Sequence, residues 1–311
     1  MKPVSRAIFV SSLLAAVLSL GLRAQQPSAP AATDMTPVAP ESVGFSSERL
    51  ERLHTFIQGV VDKKELSGAV TILARHGKIV DYRTYGVRDF ASGAAMTKDT
   101  IFRDYSMTKP VTGVAMLILY EEGKWLPSDP ISKFIPEFAN LKVFAGLDSA
   151  GKMILVNPDH APTMHELMTH TAGFSYGDGD GPVDDLYQKL QVRQAPTLQE
   201  AINRLAQIPL NYQPGSKWRY SLSMDIQGYI IEKITGQSLP DFMRDHLFAP
   251  LGMRDAGFFV PAEKRDRFAT LYENDDHDGL RPDTSNGSGM GDFLNPPTRP
   301  SGGGGLVSTA E

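Results

Sequence analysis

Apolar side chains recur every three or four residues between positions 46 and 64, which predicts an amphipathic helix capped by the serine at position 46 or 47. Two strand-like runs follow, Ala69–Ala74 and Ile79–Tyr85. His76 and Gly77 lie between them and suit a tight turn, because glycine readily takes positive φ. A helix followed by a hairpin is typical of the start of an α+β layer.

From Ser106 to about Met253 the pattern becomes mainly helical. Helices are predicted at Val111–Glu122, Pro162–Thr169, Leu222–Thr235 and from Ser238 onward. Gly236 follows the third of these and is a typical helix-terminating residue. The fourth begins with a serine followed three residues later by Asp241, which is a typical helix start.

The C-terminal part of the sequence gives two expectations. Gly, Pro, Asp and Asn crowd the stretch Asn274–Gly305, which predicts one long loop. Ser308 is followed three residues later by Glu311 in the form of a capping box, so a helix is predicted to begin there. Because the sequence stops at that point, we expect the chain to be incomplete; the alternative is a frayed tail whose spacing is chance.

The N-terminus has the form of a secretory signal. Lys2 and Arg6 precede an apolar run at 7–22, and Ala24 offers a small residue for cleavage. The alternative is an uncleaved anchor, although the run is short for a bilayer span. The predicted division is a signal peptide at 1–24, a Pro- and Ala-rich linker at 25–41 and one domain at 42–311. We therefore expect a periplasmic or secreted protein with no stable membrane partner after cleavage.

Composition narrows the classes of function. The chain has 311 residues, a formal net charge of −5 and no cysteine. The charge gives no reason to expect a nucleic-acid partner. The absence of cysteine excludes disulfides, zinc–thiolate sites and a cysteine nucleophile. The sequence does not indicate an oligomeric state.

The strongest candidate chemistry is an S-x-x-K motif formed by Ser106 and Lys109. A serine hydroxyl is a weak nucleophile that needs a base. Three residues apart on a first helical turn, the two side chains share a face, so a neutral lysine amine can reach the hydroxyl. The motif alone is weak, since an N-cap serine beside a solvated lysine gives the same pattern. Tyr220, at a predicted turn-to-helix junction, offers a phenol that can relay a proton, although a core tyrosine is the alternative.

Ser106, Lys109 and Tyr220 together resemble the first two motifs of the serine β-lactamase and penicillin-binding-protein superfamily. Flanking strings are similar to its class C branch, which includes family VIII carboxylesterases: Phe102–Tyr105, Glu121–Lys124, Leu167–Gly173, Pro214–Ser221 and Pro250–Met253. The resemblance covers roughly residues 40–311. It implies a β-lactamase/transpeptidase-like α+β fold, with an antiparallel sheet flanked by helices and a mainly helical lobe inserted after Ser106. It also implies an acyl-enzyme mechanism with Ser106, Lys109 and Tyr220 as catalytic residues and no cofactor.

The sequence departs from the family pattern twice. Where the second motif usually reads Tyr-x-Asn, the third position here is Leu222, which offers no hydrogen bond to a substrate amide. The family's third motif follows a segment similar to Gly303–Glu311, and nothing follows that segment here. The first departure favours ester substrates; the second supports the expectation of an incomplete chain.

Other candidate residues are weaker. Ser175 lies in a G-x-S-x-G string, but its context is a helix followed by a Gly- and Asp-rich loop, whereas a nucleophile elbow needs a strand and then a helix. His170 is interpreted as a structural hydrogen-bonding residue. His165 and His170 miss the i,i+4 metal spacing, and acidic loops at 178–181 and 275–279 lack the glutamate of a calcium loop.

These observations predict an exported serine hydrolase that cleaves a small-molecule ester. A β-lactamase or D-Ala-D-Ala carboxypeptidase acting on a β-lactam-like substrate is the first alternative. A penicillin-type binding or sensor protein that is acylated without turnover, or an inactive fragment, is the second.

Overall fold

The computed structural model describes residues 36–275, 279–284 and 292–311. Its helices are Ser47–Asp62 (α1), Thr108–Glu121 (α2), Met164–Met168 (α3), Pro182–Lys189 (α4), Leu198–Leu205 (α5), Ser223–Thr235 (α6), Leu239–Met243 (α7) and Ala249–Leu251 (α8). Its strands are Gly68–Arg75 (β1), Lys78–Asp89 (β2), Ala94–Ala95 (β3), Phe102–Arg103 (β4), Val143–Leu147 (β5), Met153–Val156 (β6), Tyr272–Asp275 (β7), Gly279–Pro282 (β8) and Val307–Ser308 (β9).

The predicted first helix is confirmed. The Ser46 side chain accepts a hydrogen bond from the Arg49 N–H at 3.3 Å, which satisfies one of the free donors at the start of α1. The folded part of the chain begins earlier than the predicted boundary at residue 42. The Val38 N–H donates to the Ile79 carbonyl at 2.8 Å, so the end of the predicted linker already contacts β2.

The predicted hairpin is also confirmed. β1 pairs antiparallel with β2, and β3 pairs with the other edge of β2. The two turn residues, His76 and Gly77, both have positive φ, at 52° and 70°. A two-residue turn in which both residues have positive φ matches the right-handed twist of the strands that it connects.

The helical lobe is built around the contact between α2 and α6. Met116 and Leu119 on α2 belong to the same buried apolar cluster as Ile226 and Ile230 on α6. Burying side chains of this kind stabilises a fold by about 1.5–3 kcal/mol each. α6 ends at Gly236, which takes a left-handed φ of 72° as predicted.

Two shorter predicted helices are present as well, and the start signal predicted for the second is confirmed. Thr163 and Glu166 form a reciprocal capping box at the start of α3. The Ser238 side chain accepts from the Asp241 N–H at 3.2 Å at the start of α7. α3 packs against α6, which places the segment after α3 beside the segment before α6.

Two expectations for the C-terminal part are wrong. The stretch predicted as one loop, Asn274–Gly305, contributes to the antiparallel pair β7–β8. Ser308 does not cap a helix: it lies in β9, which pairs antiparallel with β4, and its hydroxyl donates to Asp104 Oδ1 at 2.9 Å. Its hydrogen-bonding capacity is therefore used in a tertiary contact. Residues 309–311 carry no regular secondary structure.

The predicted signal peptide at 1–24 and most of the predicted linker at 25–41 lie outside the described residues. Among the residues that are described, no helix is long and apolar enough to cross a membrane.

Candidate active site

Ser106 lies in a tight turn at the junction of β4 and α2. The turn is a short 3₁₀ segment that starts at Tyr105, whose φ of 43° is unusual for a residue with a side chain. The Tyr105 ring contacts the Phe293 ring edge to face, with the ring centroids 5.9 Å apart. The Asp104 N–H donates to the Leu306 carbonyl at 2.9 Å, next to the β4–β9 pair. Strained backbone of this kind persists when its surroundings fix it, as they do here.

Lys109 is buried one helical turn after Ser106. Its Nζ donates to Ser106 Oγ at 3.0 Å and to the Gly303 carbonyl at 2.6 Å. The amine also faces two rings, with Nζ 4.5 Å from the centroid of Tyr220 and 5.6 Å from that of Tyr176. The surroundings fix the amine at the serine oxygen.

Tyr220 reaches the same oxygen from the other side of the site. Its hydroxyl donates to Ser106 Oγ at 2.7 Å, across 114 positions of sequence. The side chain remains 39% exposed, so the site is open to solvent at this point. The structure thus brings together all three residues singled out in the sequence: Ser106, Lys109 and Tyr220.

The segment at 301–305, one serine followed by four glycines, is called the glycine segment. It supplies the Gly303 carbonyl that contacts Lys109, and this role was not predicted. Thr112 Oγ1 donates to the Gly302 carbonyl at 2.7 Å, and Ser301 Oγ donates to Asp225 Oδ1 at 2.6 Å. A Cβ on Gly302 would lie 2.4 Å from a backbone oxygen, and one on Gly303 would lie 2.8 Å from Asp225. The signal in the sequence was four consecutive glycines, which indicates close approach of backbone.

His170 lies beside Tyr220 without reaching the serine. Its Nδ1 is 3.0 Å from Ser221 Oγ, and its ring centroid is 5.3 Å from that of Tyr220. Burial lowers the pKa of the imidazole from 6.5 to about 4, and the charge of Lys109 adds to the effect. The hydrogen bond agrees with the structural interpretation made from the sequence.

Ser175, the serine of the G-x-S-x-G string, is completely buried. Its hydroxyl donates to Asp184 and accepts from the Gly177 N–H at 3.0 Å and from Arg219 Nε at 3.2 Å. A nucleophile needs an accessible oxygen, so this environment argues against attack by Ser175.

Leu222 is also buried, in the apolar core of the helical lobe. This position therefore gives the site no polar side chain, as expected from the sequence. Among the described residues, no group of three or more His, Cys, Asp or Glu is arranged to hold a metal ion. Most of the acidic loop at 275–279 lies outside the part of the chain that the structure describes.

An exposed serine held between a buried lysine on the helix that follows it and a tyrosine from a distant segment is the arrangement of serine acyl-transfer proteins. The profile of the β-lactamase family matches residues 53–311, and the chain therefore belongs to this family. The fold is that of the β-lactamases and penicillin-binding proteins.

Relatives within the family include esterases. Protein Rv1367c of Mycobacterium tuberculosis is 38% identical over 258 residues, which cover 82% of this chain and 62% of the relative. Esterase EstB of Burkholderia gladioli is 33% identical over 299 residues, 89% of this chain and 72% of EstB. The solved structure of EstCE1, a hydrolase with promiscuous acyltransferase activity, aligns with a TM-score of 0.70 and 28% identity, covering 84% of this chain and 69% of that one. The chain thus spans about two thirds of the length of these relatives.

Proposed function

We propose that the protein is a serine hydrolase that cleaves small carboxylic esters through an acyl-enzyme on Ser106. The observation that carries the proposal is the position of Ser106 Oγ, within hydrogen-bond distance of both Lys109 Nζ and Tyr220 OH. The resemblance to EstB and EstCE1 supports ester substrates.

The geometry suits a two-step reaction. In its neutral form Lys109 takes the proton of Ser106 as Oγ attacks the ester carbonyl carbon. When the tetrahedral adduct collapses, the bond to the alcohol oxygen breaks and the Tyr220 hydroxyl gives that oxygen its proton. The proton that Lys109 took from Ser106 then passes to the phenolate, so that both side chains regain their starting protonation states. In the second step Lys109, again neutral, takes a proton from the water that attacks the acyl carbon; the bond between that carbon and Ser106 Oγ then breaks, Lys109 returns the proton to Oγ, and the carboxylic acid leaves.

The buried Leu222 favours esters over β-lactams and peptides. An ester needs no hydrogen bond to an amide side chain, whereas a site that lacks a partner for a substrate amide discriminates against it. We expect a higher kcat/KM for p-nitrophenyl butyrate than for a chromogenic cephalosporin. Faster cephalosporin turnover would favour a β-lactamase. One acyl group per chain with no further turnover would favour a binding or sensor protein.

Export is part of the same proposal and rests on the sequence of residues 1–24 alone. Cell fractionation tests it: the mature protein is expected outside the cytoplasm and to begin near Gln25. A protein that keeps its N-terminus and stays in the cytoplasm would contradict export without affecting the proposed chemistry.

A further inference from the structure

The side chain of Ser175 is the centre of a buried polar group that the proposed reaction does not use. Ser175 Oγ donates to Asp184, and Arg219 donates to both of them: Nε to Ser175 Oγ at 3.2 Å, and Nη2 to Asp184 Oδ2 at 2.9 Å. The Tyr187 hydroxyl accepts a hydrogen bond from the Ser175 N–H at 3.0 Å. The Asp184 side chain is 4% exposed and the Arg219 side chain 23%, so the carboxylate of the ion pair is buried and the arginine is partly exposed. We call Ser175, Asp184 and Arg219 the Ser175 cluster.

The cluster connects two segments that carry the aromatic side chains of the site. One segment contains His170 and Ser175, and the other contains Arg219 and Leu222. Backbone hydrogen bonds also join them, from the Arg219 N–H to the His170 carbonyl at 2.9 Å and from the Leu222 N–H to the Ser175 carbonyl at 3.3 Å. Each segment therefore holds the other in register, through backbone and side chains together.

Two cluster residues directly precede aromatic residues whose rings face Lys109 Nζ. Ser175 precedes Tyr176, and Arg219 precedes Tyr220. The two rings contact each other, with centroids 5.3 Å apart. Tyr220 lies outside regular secondary structure, so its position depends on what holds the residues on either side. The residue before it, Arg219, is held by the Ser175 cluster. The residue after it, Ser221, is held by hydrogen bonds from its Oγ to Ser223 and to His170.

We propose that the Ser175 cluster is a positioning device for Tyr220, which holds the phenol at the distance from Ser106 Oγ that proton transfer requires. This inference rests on the proposed function, in which Tyr220 protonates the leaving alcohol. Proton transfer needs heavy atoms within about 2.6–3.2 Å, and the phenol lies at 2.7 Å. Because Arg219 is the residue before Tyr220, loss of its guanidinium contacts would free the backbone next to the phenol on the side that the His170 carbonyl alone then holds. Ser175, Asp184 and Arg219 are positioning residues, since they touch no reacting atom.

The test uses two butyrate esters that differ only in the leaving group. Ethanol is a poor leaving group and needs a proton from Tyr220, whereas p-nitrophenol leaves as an anion. Asp184→Asn keeps the size of the side chain and removes its charge. We expect it to lower kcat/KM for ethyl butyrate by about 10–100-fold, because a small misplacement of a reacting group has effects of this size. For p-nitrophenyl butyrate we expect a loss below about threefold, because no proton donor is needed.

A double-mutant cycle separates positioning from general damage. In a Tyr220→Phe background there is no phenolic proton to position, so Asp184→Asn should change ethyl butyrate turnover by less than about threefold further. The inference would be overturned if Asp184→Asn lowered kcat/KM for ethyl butyrate as much in the Tyr220→Phe background as in the wild type. It would also be overturned if Asp184→Asn alone lowered kcat/KM equally for the two esters.

The matched control is Asp255→Asn, which breaks another Asp–Arg pair. Asp255 accepts from Arg267 at 2.6 and 2.9 Å, outside the site. Asp255→Asn should change kcat/KM for both esters by less than about twofold; a loss that depends on the ester, like that of Asp184→Asn, would contradict positioning.

If Asp184→Asn does not fold, Ser175→Ala takes its place in the double-mutant cycle, with an expected loss in kcat/KM of about threefold to tenfold for ethyl butyrate. Retained turnover in Ser106→Ala would overturn the proposed function itself.

Discussion

The oxygen of Ser106 accepts hydrogen bonds from two donors that approach from different elements of the fold. Lys109 donates from the first turn of α2, and Tyr220 donates from the segment before α6. A hydroxyl held between a base and a proton donor loses little further freedom on the way to the transition state. Ser175 Oγ is hydrogen-bonded to both Asp184 and Arg219 and is completely buried, so it has no exposed surface from which to attack a substrate.

The first prediction separates these two serines. Ser106→Ala should lower the rate of ester hydrolysis by about 10⁴-fold or more, as removal of a nucleophile does. Ser175→Ala should stay within about threefold on p-nitrophenyl butyrate, because that substrate makes little demand on Tyr220. Labelling with a fluorophosphonate, followed by peptide mapping, identifies the reactive residue directly. A label on Ser175 would contradict the assignment.

At this scale the sequence indicated some contacts and missed others. Ser106 and Lys109 could be paired from their spacing, since residues three apart on a helix are neighbours. The contact with Tyr220 spans 114 positions and was expected only because the motifs resemble those of a known family. The Gly303 carbonyl could not be predicted, because a backbone acceptor has no side-chain identity to recognise.

Among the secondary-structure elements, those with a local signal were predicted and those made by distant pairing were not. α1, the β1–β2 hairpin and α6 follow from periodicity, caps and turn residues. β4 and β9 contain two residues each and pair across about 200 positions, so neither has a period to detect. β9 nevertheless follows closely after the glycine segment, and hydrogen bonds from Thr112 to Gly302 and from Leu306 to Thr108 join this part of the chain to α2. The capping-box prediction at Ser308 was wrong because its hydroxyl bonds to Asp104 instead.

The second prediction tests the glycine segment. Gly303→Ala places a Cβ 2.8 Å from Asp225 Oδ2 and 3.0 Å from Tyr176 OH, so the segment must shift. The Gly303 carbonyl should then lose its 2.6 Å contact with Lys109 Nζ, and we expect kcat to fall by about 10–100-fold. Gly113→Ala is the control. It lies on α2 with open space around its Cβ and should raise helix stability by about 0.5–1 kcal/mol without changing kcat. Equal kcat in both variants would exclude a role for the segment.

At the scale of the whole molecule, two ionisable groups near the site, the buried His170 and the partly buried Asp104, make the free energy of unfolding depend on pH in opposite directions. The pKa of His170 is lowered from 6.5 to about 4, first by burial and then by the charge of Lys109. Its contribution is present above pH 6.5 and is lost as pH falls towards 4. Burial raises the pKa of Asp104 from 3.8 to about 6, against the hydrogen bond from Ser308. Its contribution is present below pH 3.8 and is lost as pH rises towards 6.

The third prediction isolates the histidine. His170 has a φ of 58°, and asparagine tolerates this conformation better than most residues, so His170→Asn removes the titrating group with little backbone strain. We expect the free energy of unfolding of the wild type, minus that of the variant, to fall by up to about 3 kcal/mol between pH 7 and pH 4. Urea unfolding at several pH values measures this difference. For Asp104→Asn, the free energy of unfolding of the wild type minus that of the variant should rise as pH falls from 7 to 4, because the folded state favours the neutral carboxyl. A His170→Asn difference that stays constant with pH would show that this imidazole does not titrate differently in the folded and unfolded chains.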